Sequence, residues 1–228
     1  MARAQAAVSL PFEDDAGPGG RPAAGFAARC LAALAEGAIL AAVLLAPLYF
    51  NPRSARVFEP DKLGWLLALG LLVAACGLAW PLVAPLPDRG WWRATLGRPL
   101  PLLTTFGLVA TLAATAFSVV PAISLWGSYR RGQGLLAALG LWLLFVAAFL
   151  CLRRRAARSR LWRFLLLPAL PAAVYSLLQR FGIDSLGWDT YGASPAERAF
   201  AGLGNPIFLG AWLALLAPLA LARLLSAW

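Results

Sequence analysis

The chain has no histidine, one methionine and three cysteines in 228 residues, and only ten acidic side chains. Cys30, Cys76 and Cys151 stand far apart with no ligand or pairing spacing between them. With no histidine to join them, zinc and disulfides have nothing to build on. The cysteines read instead as small apolar residues, and neither a metal nor a cofactor is expected. Charged residues make up 13% of the chain, against roughly a quarter in soluble domains. The alternating polar–apolar pattern of a membrane β-barrel is missing. No internal repeat is visible, so an inverted-repeat transporter has no support. No small-residue cleavage site follows the first apolar block, which argues against a cleaved signal peptide.

What the chain does have is apolar residues, 61% of the total, gathered in blocks of span length. A helix crosses a ~30 Å hydrocarbon core with about twenty residues at ~1.5 Å each. The bilayer interior offers no water to backbone groups, so such blocks must be helical. The expected fold is therefore an all-α transmembrane bundle of about six spans. The spans are Cys30–Phe50, Leu63–Val83, Leu100–Val120, Leu135–Leu152, Trp162–Leu178 and Ile207–Leu225. Pro168 and Pro171 interrupt the fifth, which reads as a kinked helix. Residues 1–28, rich in Ala, Gly and Pro, read as a disordered tail, and residues 29–228 as the membrane domain. The stretch Leu86–Pro99 reads as a turn with Trp91 and Trp92 at the membrane interface.

Formal net charge is +10. In a soluble protein this would point to nucleic acid; here the loops explain it, and no nucleic-acid partner is expected. Arg3, Arg21, Arg29, Arg89, Arg93, Arg98 and six arginines from Arg153 to Arg163 fall on one side of the spans. Arg53, Arg56, Lys62, Arg130, Arg131, Arg180 and Arg198 fall on the other. Twelve against seven places the N-terminus and the Arg153–Arg163 loop in the cytoplasm by the positive-inside rule. Glu36, a carboxylate inside the first span, is a functional suspect by default. Its nearness to Arg29 favours snorkelling or helix pairing over proton transfer.

Two outward loops differ from plain connectors. Ser118–Gly134 sets Trp126, Tyr129, Arg130 and Arg131 among small residues. Guanidinium forks match phosphate oxygens in pairs, so a lipid-linked phosphate suits this loop. Interfacial anchoring of helix depth explains the same composition. The second loop runs from Gln179 to Pro206 and holds Arg198 and Gly204-Asn205-Pro206. Asn-Pro before an apolar run marks a helix start, with Asn205 as cap. Such an end attracts anions, although capping alone accounts for Asn205. Both loops carry arginines and glycines, which suggests that segments 121–133 and 179–205 converge.

In order and spacing, these pieces resemble the O-antigen ligase and polymerase family of polytopic membrane glycosyltransferases. The matching pieces are Pro47-Leu-Tyr-Phe50, Phe58-Glu-Pro-Asp-Lys62, Ser118–Gly134, Gln179-Arg-Phe-Gly-Ile-Asp184, and Arg198 followed by Gly204-Asn205-Pro206. The resemblance implies an enzyme of the bacterial inner membrane. It would move a glycan from an undecaprenyl-pyrophosphate carrier to an outer-face acceptor, either lipid A core or another carrier-linked glycan. It further implies that Arg131 and Arg198 hold the pyrophosphate. The expected substrate-binding set is Arg131, Arg198, Arg130 and Asn205, with the lipid-linked glycan and membrane lipids as partners and no catalytic residue assigned. The family uses a histidine from a large later loop, which this sequence lacks. The chain is therefore expected to be the N-terminal portion of a longer protein, inactive alone. The competing reading is a non-enzymatic membrane protein, either a transporter for an anionic substrate or a structural subunit. Charges concentrated at span ends favour chemistry at the surface over transport through the bundle.

Overall fold

The computed structural model describes residues 25–54, 57–128, 132–184, 186 and 197–227. Among these there is no β-strand. Nine helices follow in chain order, α1 Phe26–Leu48, α2 Glu59–Ala79, α3 Arg89–Leu96, α4 Pro99–Ala116, α5 Pro121–Trp126, α6 Leu135–Cys151, α7 Arg155–Leu166, α8 Ala169–Arg180 and α9 Pro206–Ala227. Two 3₁₀ turns, Trp80–Leu82 and Ala201–Leu203, complete the described architecture.

Five helical segments are long and apolar enough to cross a membrane: α1, α2 with its 3₁₀ extension, α4, α7 joined to α8, and α9. The sixth, α6, has 17 residues, at the lower limit of ~17–25 for a span. The expected bundle of about six spans is what the chain forms. Large side chains on the outer faces, among them Leu103, Phe106 and Val109 of α4 and Leu215 and Leu221 of α9, are exposed. A soluble monomer rarely shows apolar patches of this extent; hydrocarbon is a solvent that suits them. The chain is a multi-pass membrane protein on this ground and on span length.

The core lies where α1, α2, α6 and the start of α7 meet, around Ala38, Ile39, Ala42, Val73, Leu144, Ala147 and Ala157. Small residues prevail because lipid tails are as apolar as side chains, so helices gain mainly from close approach. The tightest crossing joins α2 to α6. A methyl group on Gly70 would stand 2.7 Å from the Gly140 carbonyl oxygen, and one on Gly140 would stand 2.8 Å from Leu67 Cα. Both obstacles are backbone and cannot swing aside. Gly140→Val should therefore destabilise the bundle by about 1–3 kcal/mol or more, as overpacking does. The check is the midpoint of unfolding in a denaturing-detergent titration. Gly107→Val, with open space around it, serves as the control and should shift little.

The proline-interrupted span is kinked as expected, and the structure assigns the two prolines different roles. Pro168 is fully buried at the break between α7 and α8. Pro171 falls in the first turn of α8, where its missing N–H would have lacked a helical partner anyway. The break falls at Leu167–Pro168, where Pro168 lacks an N–H and the Pro171 ring would meet the Leu167 carbonyl of a continuous helix.

Three expectations change in detail. The first helix begins at Phe26 rather than Cys30, because Gly25 caps it and its carbonyl accepts from the Arg29 N–H at 3.2 Å; the rest of the expected tail, residues 1–24, lies outside the described residues. Leu86–Pro99 is not a plain turn, since α3 forms within it, capped by Asp88 Oδ1 accepting from the Trp91 N–H at 2.6 Å. Glu36 pairs not with Arg29 but with Arg160 of α7, whose Nε and Nη2 donate to the two carboxylate oxygens at 2.5 and 2.9 Å. This is the helix-pairing outcome, reached through a partner 124 residues away.

Successive spans alternate in direction, so arginines of α3, α7 and their flanks gather at one end of the bundle. We expect single cysteines at Arg155 and Glu197, in a background without native cysteine, to be labelled from opposite faces by an impermeant thiol reagent. Labelling of both from the same face would remove the six-span topology.

Candidate functional site

The end opposite the arginine cluster is built from segments far apart in sequence. The exit of α1 brings Tyr49 and Phe50; the start of α2 brings Phe58 and Lys62; the end of α8 brings Tyr175 and Gln179; the 3₁₀ turn before α9 brings Phe200 to Gly204. Phe58 packs edge-on against Phe200 at 5.4 Å between ring centres, and Phe50 stacks on Tyr175 at 6.0 Å. Tyr49 meets Trp65 edge-on at 6.4 Å. Aromatic pairs of this kind fix geometry as well as burying area.

Polar atoms bind the same segments. Gln179 is wholly buried. Its side-chain carbonyl accepts from the backbone N–H groups of Phe200 and Ala201 at 3.0 and 2.8 Å. Its amide nitrogen donates to Asp184 Oδ2 at 3.3 Å, which also accepts from the Tyr175 hydroxyl at 3.0 Å. Asp184 Oδ1 in turn accepts from the Leu186 N–H at 3.0 Å. The Gln179–Asp184 motif thus works first as a knot tying the end of α8 to the approach to α9.

Lys62 closes the second half of the arrangement. Its ammonium donates to the Gly202 carbonyl oxygen at 2.5 Å across 140 residues, and lies 6.0 Å from the Phe58 ring centre. Gly202 must be glycine on packing grounds, since a methyl there would come within 2.5 Å of the Pro47 carbonyl oxygen. Gly204 has φ +74° and lies against the Phe58 ring, so a side chain would be both strained and blocked. Asn51 is held through its amide nitrogen donating to Asp61 Oδ2 at 2.8 Å.

The expected site residues fare unequally. Arg130 and Arg131 lie outside the described residues. Arg198 is exposed, and among the described residues it makes no hydrogen bond or ion pair. It stands two residues before Phe200, whose N–H the Gln179 hub holds. Asn205 caps α9 as expected, its Oδ1 accepting from the Ile207 N–H at 2.9 Å. The two outward loops flank one turn of α2: Gly132 packs toward Pro60 and Leu63, while Gly202 takes the Lys62 hydrogen bond.

Lys62 and Gln179 are the polar residues that sequence reasoning quoted without assigning a place in the site. For Lys62 a signal existed. A cation in the first turn of a helix opposes the helix dipole, so its presence there asks for an acceptor from elsewhere. Gln179 gave no such sign, because its partners lie 21 and 22 residues ahead in an irregular loop. No protein-family model, curated protein or solved structure matches the chain.

Proposed function

We propose that the chain is an O-antigen ligase-like membrane protein that receives an undecaprenyl-pyrophosphate-linked glycan at this end of the bundle, on the outer face of a bacterial inner membrane. One observation supports the reading above the others. Four of the five separate segments that carry the resemblance meet directly around Lys62 and Gly202, and the fifth, Ser118–Gly134, reaches the same turn of α2 through Gly132. Alternating spans would bring these loops to one end in any case; what supports the reading is that the segments touch one another there, through Lys62–Gly202, Gln179–Phe200 and Phe58–Phe200.

The chemistry follows from the charges. Cleavage of the bond between the sugar and the pyrophosphate places negative charge on the leaving oxygens. Preorganised cations at a water-poor surface stabilise that charge without a metal. Arg198, free of intramolecular partners among the described residues, offers a bidentate fork. Lys62, by contrast, is spent on Gly202 and acts as a brace.

The direct test is photolabelling with an undecaprenyl-pyrophosphate glycan bearing a photoreactive group beside the pyrophosphate. Label should enter the peptide that contains Arg198 and be displaced by unlabelled donor. Label confined to the arginine-rich end, or not displaced by donor, would sink the assignment.

A further inference from the structure

At the opposite, arginine-rich end the structure holds an apolar cavity of about 240 Å³. Its walls come from α1, α2, α3 and α6, with Ala35, Val73, Trp80, Trp91, Trp92 and Ala147 among them. An apolar cavity of even ~150 Å³ stays free of water and takes up apolar ligands, so hydrocarbon is the matching occupant here. The rim is different in kind. Trp91 is buried, and its indole Nε1 has no hydrogen-bond partner among the described residues. The Arg153 guanidinium lies 5.0 Å from the Trp91 ring centre, and its Nη2 is likewise buried without a partner. Arg153 Nε reaches only the Phe149 carbonyl, at a long 3.4 Å.

Two orphaned donors side by side ask for an acceptor, because a buried polar group without one is costly. Among the described residues no carboxylate is left to supply it: the acids at this end are Glu36, paired with Arg160, and Asp88, which caps α3. Arg98 lies close enough to lower the Arg153 pKa, after burial as the larger cause, so the local surplus is positive.

We propose that this cavity holds one acyl chain of an anionic phospholipid from the adjoining leaflet, with the headgroup phosphate or ester oxygens accepting from Arg153 Nη2 and Trp91 Nε1. Apolar volume selects the chain, and the unbalanced guanidinium selects the charge. The short helix α3 joins the two, since its Trp91 forms part of the wall and of the rim at once.

Native mass spectrometry of the full chain purified in mild detergent tests this, with dioleoyl phosphatidylglycerol or dioleoyl phosphatidylcholine added in turn. Wild type should retain one phosphatidylglycerol at concentrations where phosphatidylcholine is lost. Arg153→Gln should weaken that retention roughly tenfold, the scale of one charged hydrogen bond. Trp91→Phe keeps an aromatic face, loses the N–H with the five-membered ring that bears it, and should weaken retention several-fold. Ala147→Leu, which fills the cavity and leaves both donors, should abolish retention while the protein stays monodisperse. Equal retention of the two lipids, or retention unmoved by Arg153→Gln and Trp91→Phe in folded protein, overturns the proposal. Loss with Ala147→Leu alone also overturns it, since the pocket would then bind hydrocarbon without reading charge.

Discussion

Replacing Arg198 by alanine is expected to lower glycan transfer from an undecaprenyl-pyrophosphate donor by ~10²–10³, the usual cost of one preorganised donor at a developing charge. Arg131→Ala should act on the same scale. A surface anchor predicts far less, because changes to exposed charges seldom alter stability by more than ~0.5 kcal/mol. Arg198→Lys keeps the charge but loses the fork that grips two oxygens, so it should restore only part of the rate. Arg130→Ala is the milder neighbour for comparison. Transfer would be followed in membranes containing the protein expressed from its own gene, at matched expression. Near-normal transfer by both Arg131→Ala and Arg198→Ala would return these side chains to the role of anchors.

The second large effect falls on Gln179. Gln179→Leu keeps the volume and removes every polar contact, stranding the N–H groups of Phe200 and Ala201. Each buried donor left unpaired costs about 1–3 kcal/mol, so the pair costs about 2–6 kcal/mol. Melting temperature, read by loss of monodispersity on heating, should fall by roughly 2–4 °C for each kcal/mol. Gln179→Glu retains acceptors for both N–H groups but sets a carboxylate where the amide faced Asp184 at 3.3 Å. Two carboxylates then face each other in a buried site, so this variant should be destabilised as well. A leucine variant as stable as wild type would mean that the knot does not hold the loop before α9.

Spans were legible because hydropathy over twenty residues is a bulk property, indifferent to partners. The expected starts and ends of α4, α6 and α9 lie within a few residues of those formed. Helix α3 was not legible as a helix: eight residues that include two arginines and two tryptophans have no span-length signal, and only the Asp88 cap marks its start. At the candidate site, the cap on Asn205 could be read from Asn-Pro, a local rule. The Lys62–Gly202 and Gln179–Phe200 bonds could not, since they depend on which helix ends meet. Glu36 shows the same divide. Its burial in a span was plain from sequence, whereas its partner followed only from the packing of α7 on α1.

That ion pair also has a history within each molecule. Glu36 leaves the ribosome 124 residues before Arg160, which at ~5–20 residues per second is roughly 6–25 s. During that interval the first span must sit in the membrane without its cation, where a lone charged carboxylate at helix centre costs about 2.5–3.5 kcal/mol. That cost stays uncompensated until α7 arrives with Arg160. Glu36→Gln should therefore ease insertion of the isolated first span while weakening the finished bundle, and a translocon insertion assay on residues 1–60 would separate the two effects. Early convenience and final strength are set against each other at one side chain.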